Sequence, residues 1–163
     1  MISRMHECRQ VDQRRTDMVM VDETTTLREH REQVVRHHIA VENDHDVEAV
    51  IATFHSPRYE VNGEPSDGAD AVRDLLQSLM HGFPDLHAET TRLRHLDDGV
   101  VAEGTIGGTH HGEWAGIPPT GHRFDVPVVG IFEFDGDRLM CERAFLDMGA
   151  VLAQLGVLSI PTR

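Results

Sequence analysis

Residues 107–121 read GGTHHGEWAGIPPTG and residues 145–156 read FLDMGAVLAQLG, on either side of the apolar strand VPVVGIFEF at 126–134. The first stretch is a strand running into a tight loop. Gly116 relieves the backbone there, Pro118 and Pro119 fix it, and Thr120-Gly121 turns it back. The second is a strand end feeding a short helix. Asp147 is placed to accept from the first free N–H groups, Leu152 and Leu155 form an apolar stripe, and Gly156 sits where a helix stops.

Upstream of this pair the pattern is helical. Thr26-x-x-Glu29 has the form of a capping box for a helix that turns Val34, Val35, His38, Ile39 and Val41 inward. Asp46 caps a shorter helix with Val47, Val50, Ile51 and Phe54 on its apolar face, and Pro57 ends it before a short strand at Tyr59 to Val61. A turn rich in Gly, Pro, Ser and Asp follows. A third helix from Ala69 to His81 presents Val72, Leu75, Leu76, Leu79 and Met80, and Gly82 and Pro84 stop it.

The remainder reads as sheet: Leu86 to Leu96, Val100 to Glu113, His122 to Phe134 and Leu139 to Leu146, with turns at Asp97-Asp98-Gly99 and Asp135-Gly136. Gly104, Gly107 and Gly108 permit bulges or strong curvature in the second of these. Helices grouped first and an antiparallel sheet grouped later give an α+β class.

At 163 residues, 39% of them hydrophobic, the chain suits one domain with a core large enough to surround a cavity. Fifteen basic against 28 acidic residues, a formal charge of −13, argue against nucleic acid or an anionic membrane face as partner. Cys8 and Cys141 suggest no disulfide framework, and residues 1–26 hold no apolar run long enough for a signal peptide or membrane span. A cytoplasmic protein is expected, with 1–26 a mobile extension, 27–158 the folded domain and 159–163 a tail.

The Gly-Ile-Pro-Pro-Thr-Gly loop, the Gln-Leu-Gly ending and the segments VVRHHIAVENDHDVEAVIATF and GADAVRDLLQSLMHGFPDL resemble the SnoaL-like polyketide cyclase family, often labelled ester cyclases, of the nuclear-transport-factor-two-like superfamily. The resemblance covers about Leu27 to Leu158. It implies a cone-shaped, curved antiparallel sheet with about three helices on its concave side, a pocket inside the cone, and a homodimer through the open sheet face. In the family's aldol-type cyclases an aspartate on the last strand moves the proton, with a histidine two residues before it. Counted back from Gln154-Leu155-Gly156 those positions are Ala144 and Glu142; counted forward from Asp135-Gly136 they are Arg143 and Cys141, because one extra residue lies between the landmarks. Neither register supplies the pair.

Glu142 shares strand parity with Met140, Ala144 and Leu146 and so points among apolar neighbours, where a desolvated carboxylate becomes a general acid or base. It is the first candidate for a catalytic group; pairing with an arginine, or a bulge that turns it to water, is the alternative. Tyr59, the only tyrosine, is the candidate donor to a substrate carbonyl, and His110 matches a histidine the family often places in its Gly-Thr-His segment. His38, His55, Phe83, Trp114, Phe132 and Ala144 are expected to line the pocket. His110 and His111 point oppositely on a regular strand and cannot share a metal, so no metal and no cofactor is expected; His111 facing His122 across a hairpin is a weaker candidate pair. No phosphate-binding glycine loop or serine nucleophile elbow is present in the sequence.

These features together point to acid/base chemistry (cyclisation, isomerisation, hydration or dehydration) on a small, largely apolar or aromatic carbonyl compound. A non-catalytic binding protein and an epoxide hydrolase-like activity are the alternatives.

Overall fold

The computed structural model describes residues 26–159; the expected N-terminal extension, with Cys8, lies outside them apart from residue 26. Four helices and six strands follow the order α1 (26–43), α2 (Val47–Thr53), β1 (Arg58–Val61), β2 (Glu64–Asp67), α3 (Gly68–Gly82), β3 (His87–His95), β4 (Gly99–Thr109), β5 (Arg123–Asp135), β6 (Arg138–Leu146) and α4 (Met148–Gln154). Residue 26 is already helical, so the start of α1 and its capping box cannot be judged among the described residues. The caps proposed for α2 and α4 are present. Asp46 accepts from Ala49 N–H at 3.0 Å and Asp147 from Ala150 N–H at 2.9 Å.

All six strands form one sheet in the order β2-β1-β6-β5-β4-β3. The α+β class stands, with two differences from the sequence reading. The sheet is not wholly antiparallel, since β1 runs parallel to β6, pairing Tyr59 with Glu142. The turn after β1 also hides a strand: Asn62 and Gly63, with φ of 51° and 88°, close a two-residue hairpin onto β2, and Pro65 is tolerated because β2 is the sheet edge.

Two bulges bend the sheet. One lies on β3 between Thr90 and Arg92, opposite Gly104, where a Cβ would come within 2.0 Å of the Glu89 carbonyl oxygen. The other lies on β6, where Phe134 pairs with Leu139 and Glu133 with Cys141, leaving Met140 as the additional residue. That residue accounts for the two conflicting counts along the strand. Beyond the bulge Glu142 lies opposite Phe132 and Ala144 opposite Gly130.

The sheet sorts its side chains by face. Tyr59, Glu142 and Phe132 lie side by side on neighbouring strands and are buried, whereas Glu60, Arg143 and Glu133 form an ion-pair ladder on the opposite face at 3.0 and 3.2 Å. Helices α1 to α3 cover the concave side with Val35, Val50, Phe54, Val72 and Leu76. A second apolar cluster of Phe83, Phe124, Val126, Val151 and Leu155 lies toward α4.

Candidate active site

Between the two apolar clusters is a cavity of about 160 Å³, comparable to a void that holds a benzene ring. Its wall draws Tyr59, Ala102, Phe132 and Ala144 from one cluster and Phe83, Phe124 and Val151 from the other. Its polar side chains are Tyr59, Glu142 and Glu42, hydrogen-bonded together where β1, β6 and α1 meet, and Glu89, Thr90 and Glu103 on β3 and β4. Glu142 is 5% exposed, so the parity argument that turned it inward holds beyond the bulge.

The hydrogen bonds fix most protons in this cluster. Thr53 donates its hydroxyl to the Val50 carbonyl at 2.7 Å, so its oxygen can only accept from His38 Nδ1 at 2.6 Å. His38 therefore carries a proton on Nδ1 and turns Nε2 toward Glu142 Oε2, 2.7 Å away. Edge contacts with Phe54 and Phe132, at centroid distances of 5.1 and 5.6 Å, hold the fully buried ring. Burial is the strongest influence on the imidazole and pushes its pKa down. The charge and hydrogen bond of Glu142, aided by the charge of Glu42, outweigh it and hold the pKa above the usual value. The 2.7 Å link between Nε2 and Oε2 is short enough to hold a proton between the two groups.

The other carboxylate oxygen, Oε1, accepts from Tyr59 Oη at 3.1 Å, and the same hydroxyl lies 3.2 Å from Glu42 Oε1. One phenolic proton serves two carboxylates, so at any instant one of them meets a lone pair. Burial first, then repulsion from Glu142, raise Glu42 to about pKa 7 against the opposing pull of His38 and Tyr59. Burial and both carboxylates raise Tyr59 well above its ordinary range, which keeps it a phenol and a donor.

Glu42 is a member of the cluster that neither strand parity nor a family motif marks in the sequence. The signal was available: Glu42 is four residues after His38 on α1, so both project from one helix face. His38, Glu42 and Glu142 offer ligand atoms within 4.8 Å of one another and are the group among the described residues able to hold a metal ion. The 2.7 Å spacing of His38 and Glu142 suits a shared proton; ligands of a tetrahedral zinc stand about 3.3 Å apart.

Phe83, Trp114, Phe132 and Ala144 line the cavity as expected. His38 sits behind Glu142 and orients it without forming part of the wall. His38 is therefore not the lining residue expected, and the placements of His55 and His110 differ as well. His55 is exposed beside Arg138, at 3.3 Å, because it follows the end of α2 and starts the surface turn into β1. His110 is fully buried but stacked on Phe83 at 5.2 Å, with Nδ1 accepting from Thr120 N–H at 3.3 Å; it is outside the cavity wall and away from Glu142. The expected facing of His111 and His122 is also replaced, since His110 makes the backbone bond to His122 while His111 N–H turns to the Gly82 carbonyl. Cys141, beside Glu142 on β6, is a buried thiol that desolvation above all raises to about pKa 11, and it remains protonated at neutral pH. The chain has no lysine, so no lysine imine can form with a carbonyl guest.

A curved sheet covered by helices thus encloses a small, largely apolar cavity with a hydrogen-bonded cluster of Glu42, Tyr59 and Glu142 at one side. The family described as SnoaL-like polyketide cyclase matches residues 32–155, and the chain belongs to that family. Among solved structures, TsrD of Streptomyces laurentii is 26% identical, with 80% of this chain and 98% of that one covered and a TM-score of 0.70. AclR of Streptomyces galilaeus is 25% identical, covering 82% and 86%, with a TM-score of 0.71. A Catenulispora acidiphila protein with a ketosteroid isomerase-like fold, solved in complex with trimethylamine, is 19% identical, covering 78% and 97%, with a TM-score of 0.67, and shows the shared fold. No curated protein matches the chain. Among the described residues no helix is long and apolar enough to cross a membrane.

Proposed function

We propose that this protein is a cofactor-independent enzyme of polyketide-cyclase-like type that moves a proton on a small, largely apolar carbonyl compound. The observation that carries the reading is the placement of Glu142 in the cavity wall, with Oε2 engaged by His38 and Oε1 beside Tyr59. Glu142 Oε1 takes a proton from the carbon next to the carbonyl; the C–H electrons pass into an enolate, and Tyr59 donates its O–H to the enolate oxygen. The enolate carbon then attacks a second carbonyl within the guest, closing a ring, and the alkoxide so formed takes the proton back from Glu142; in the isomerisation alternative Glu142 returns that proton to another carbon of the enolate system. Glu42, with a pKa near neutral, exchanges protons with the cluster, which titrates as a unit. His110 has no part in this step.

The test is deuterium uptake from solvent into the α-positions of a small cyclic ketone, followed by NMR. Native protein is expected to catalyse exchange, and Glu142→Gln to lose about 10²-fold or more in rate. Equal rates in the two proteins would remove Glu142 as the base. Neither Ala144 nor Arg143, the two positions counted for the family's aspartate, is an acid, which favours a second reading in which the cavity binds without turnover; ligand binding with no exchange for any ketone would select it.

The convex face of β5 and β6 exposes Val129 opposite Phe145, each 36% accessible. We propose that a homodimer covers this patch.

A further inference from the structure

Among the described residues no arginine pairs with Glu42, a carboxyl group in the cavity wall. Glu42 contributes a carboxylate to the wall, and the groups that face it are Glu142 from β6, Tyr59 from β1 and His38 from its own helix. Of these only His38 can be cationic, and it is committed to Glu142 at 2.7 Å. Tyr59 is neutral and divides one proton between the two carboxylates. No Lys, Arg or His belongs to the described wall. Arginines elsewhere are engaged: Arg31 with the turn carbonyls of Asp97 and Gly136, Arg58, Arg73, Arg123 and Arg143 with carboxylates outside the wall, and Arg94 with Glu103, a wall residue of β4 whose charge it neutralises.

A partly desolvated carboxylate without a cation is costly, and a guest that supplies the cation relieves that cost. The rest of the wall suits such a guest. Tyr59, Phe83, Trp114, Phe124 and Phe132 surround the space with aromatic surface, which attracts an alkylammonium through its faces. A guest carboxylate or phosphate would instead face Glu42 and Glu142 with no positive side chain in the wall.

We infer that the cavity selects a guest bearing a protonated amine, with Glu42 as its counter-ion, and rejects carboxylates of the same size. The inference rests on this cavity being the ligand site named above but not on the proton transfer assigned to Glu142. A cationic guest also drives a proton off Glu42, so binding releases protons near neutral pH and weakens as the pH falls through about 7.

Isothermal titration with benzylamine, benzyl alcohol and benzoate, at about pH 8.5 and again at about pH 5.5, reads this directly because the amine stays protonated at both. At the higher pH benzylamine is expected to bind at least about tenfold more tightly than benzoate, with benzyl alcohol between them. At the lower pH the gap is expected to close to about threefold or less. Glu42→Gln should lose the amine preference at both pH values while still binding benzyl alcohol, which shows its cavity intact; the native protein at two pH values decides the matter if that variant misfolds. Benzoate binding as tightly as benzylamine, no binding by any probe, or a preference that persists at low pH or in a folded Glu42→Gln would overturn the inference. Amine selectivity without ketone exchange would leave it standing and remove the catalytic reading instead.

Discussion

Thr53 decides where the protons of the site lie, although it touches no part of the cavity. Its hydroxyl is spent on the Val50 carbonyl, which forces His38 to donate through Nδ1 and present Nε2 to Glu142. Thr53→Val keeps the shape and removes the acceptor. The buried Nδ1–H then lacks a partner, and denaturant unfolding is expected to show a loss of about 1–3 kcal/mol. The same variant should alter the ring-nitrogen NMR shifts of His38, because the tautomer is no longer imposed. At this scale the sequence was partly legible. Strand parity found Glu142, and uniqueness drew attention to Tyr59. Glu42 escaped because a glutamate near a helix end reads as a solvated charge until the partner strand is known, and β1 reaches it only through a parallel pairing that local pattern does not encode.

Among the elements, Arg31 ties α1 to both ends of the hairpin system. Its Nε donates to the Gly136 carbonyl at 2.8 Å and its Nη1 to the Asp97 carbonyl at 2.9 Å, while the guanidinium lies 5.4 Å from the Phe134 ring centroid. Arg31→Met keeps the apolar stem and loses both bonds. A destabilisation of about 2–3 kcal/mol is expected, with faster amide exchange in the two turns that Arg31 holds. Gly82 plays a different part at the cavity mouth. A Cβ there would lie 2.7 Å from Trp114 Cβ, and the Gly82 carbonyl accepts from His111 and Gly112 at 2.9 and 3.1 Å. Gly82→Ala is expected to push Trp114 aside at a cost of about 1–3 kcal/mol, read as a shift in the emission of the chain's single tryptophan. The elements themselves were largely legible, since caps at Asp46 and Asp147 and the helix stop at Gly82 rest on local chemistry. β2 was not, because Pro65 and its acidic neighbours suit an edge strand and a loop equally. The bulge at Met140 appeared in the sequence only as an unplaced extra residue.

For the molecule as a whole, the site makes stability depend on pH in an uncommon sense. Glu42 is raised to about 7 and His38 above its usual value, so the folded chain holds protons that the unfolded chain releases. Their stabilisation is complete below the unfolded pKa of each group and is lost as pH rises through the folded value. Thermal unfolding is therefore expected to show the melting temperature falling from about pH 5 to beyond pH 7, with Glu42 accounting for roughly 2–3 kcal/mol of the change. Glu42→Gln should flatten that fall. At lower pH, carboxylates held below their ordinary range, such as Asp85 beneath the Thr109 amide, act in the opposite direction. The proposed dimer is checked by sedimentation, where Phe145→Glu should yield monomers if the convex patch is its interface.

The parallel pairing of β1 and β6 brings together Tyr59 and Glu142, which are 83 positions apart. Contacts of such separation are slow to close. During synthesis α1 to α3 and the first hairpin leave the ribosome well before β6 exists, and β6 must then enter between β1 and β5 as an inner strand of the sheet. A nascent chain can thus hold His38, Glu42 and Tyr59 without Glu142, and the hydrogen-bonded cluster is complete only when the final strand is seated.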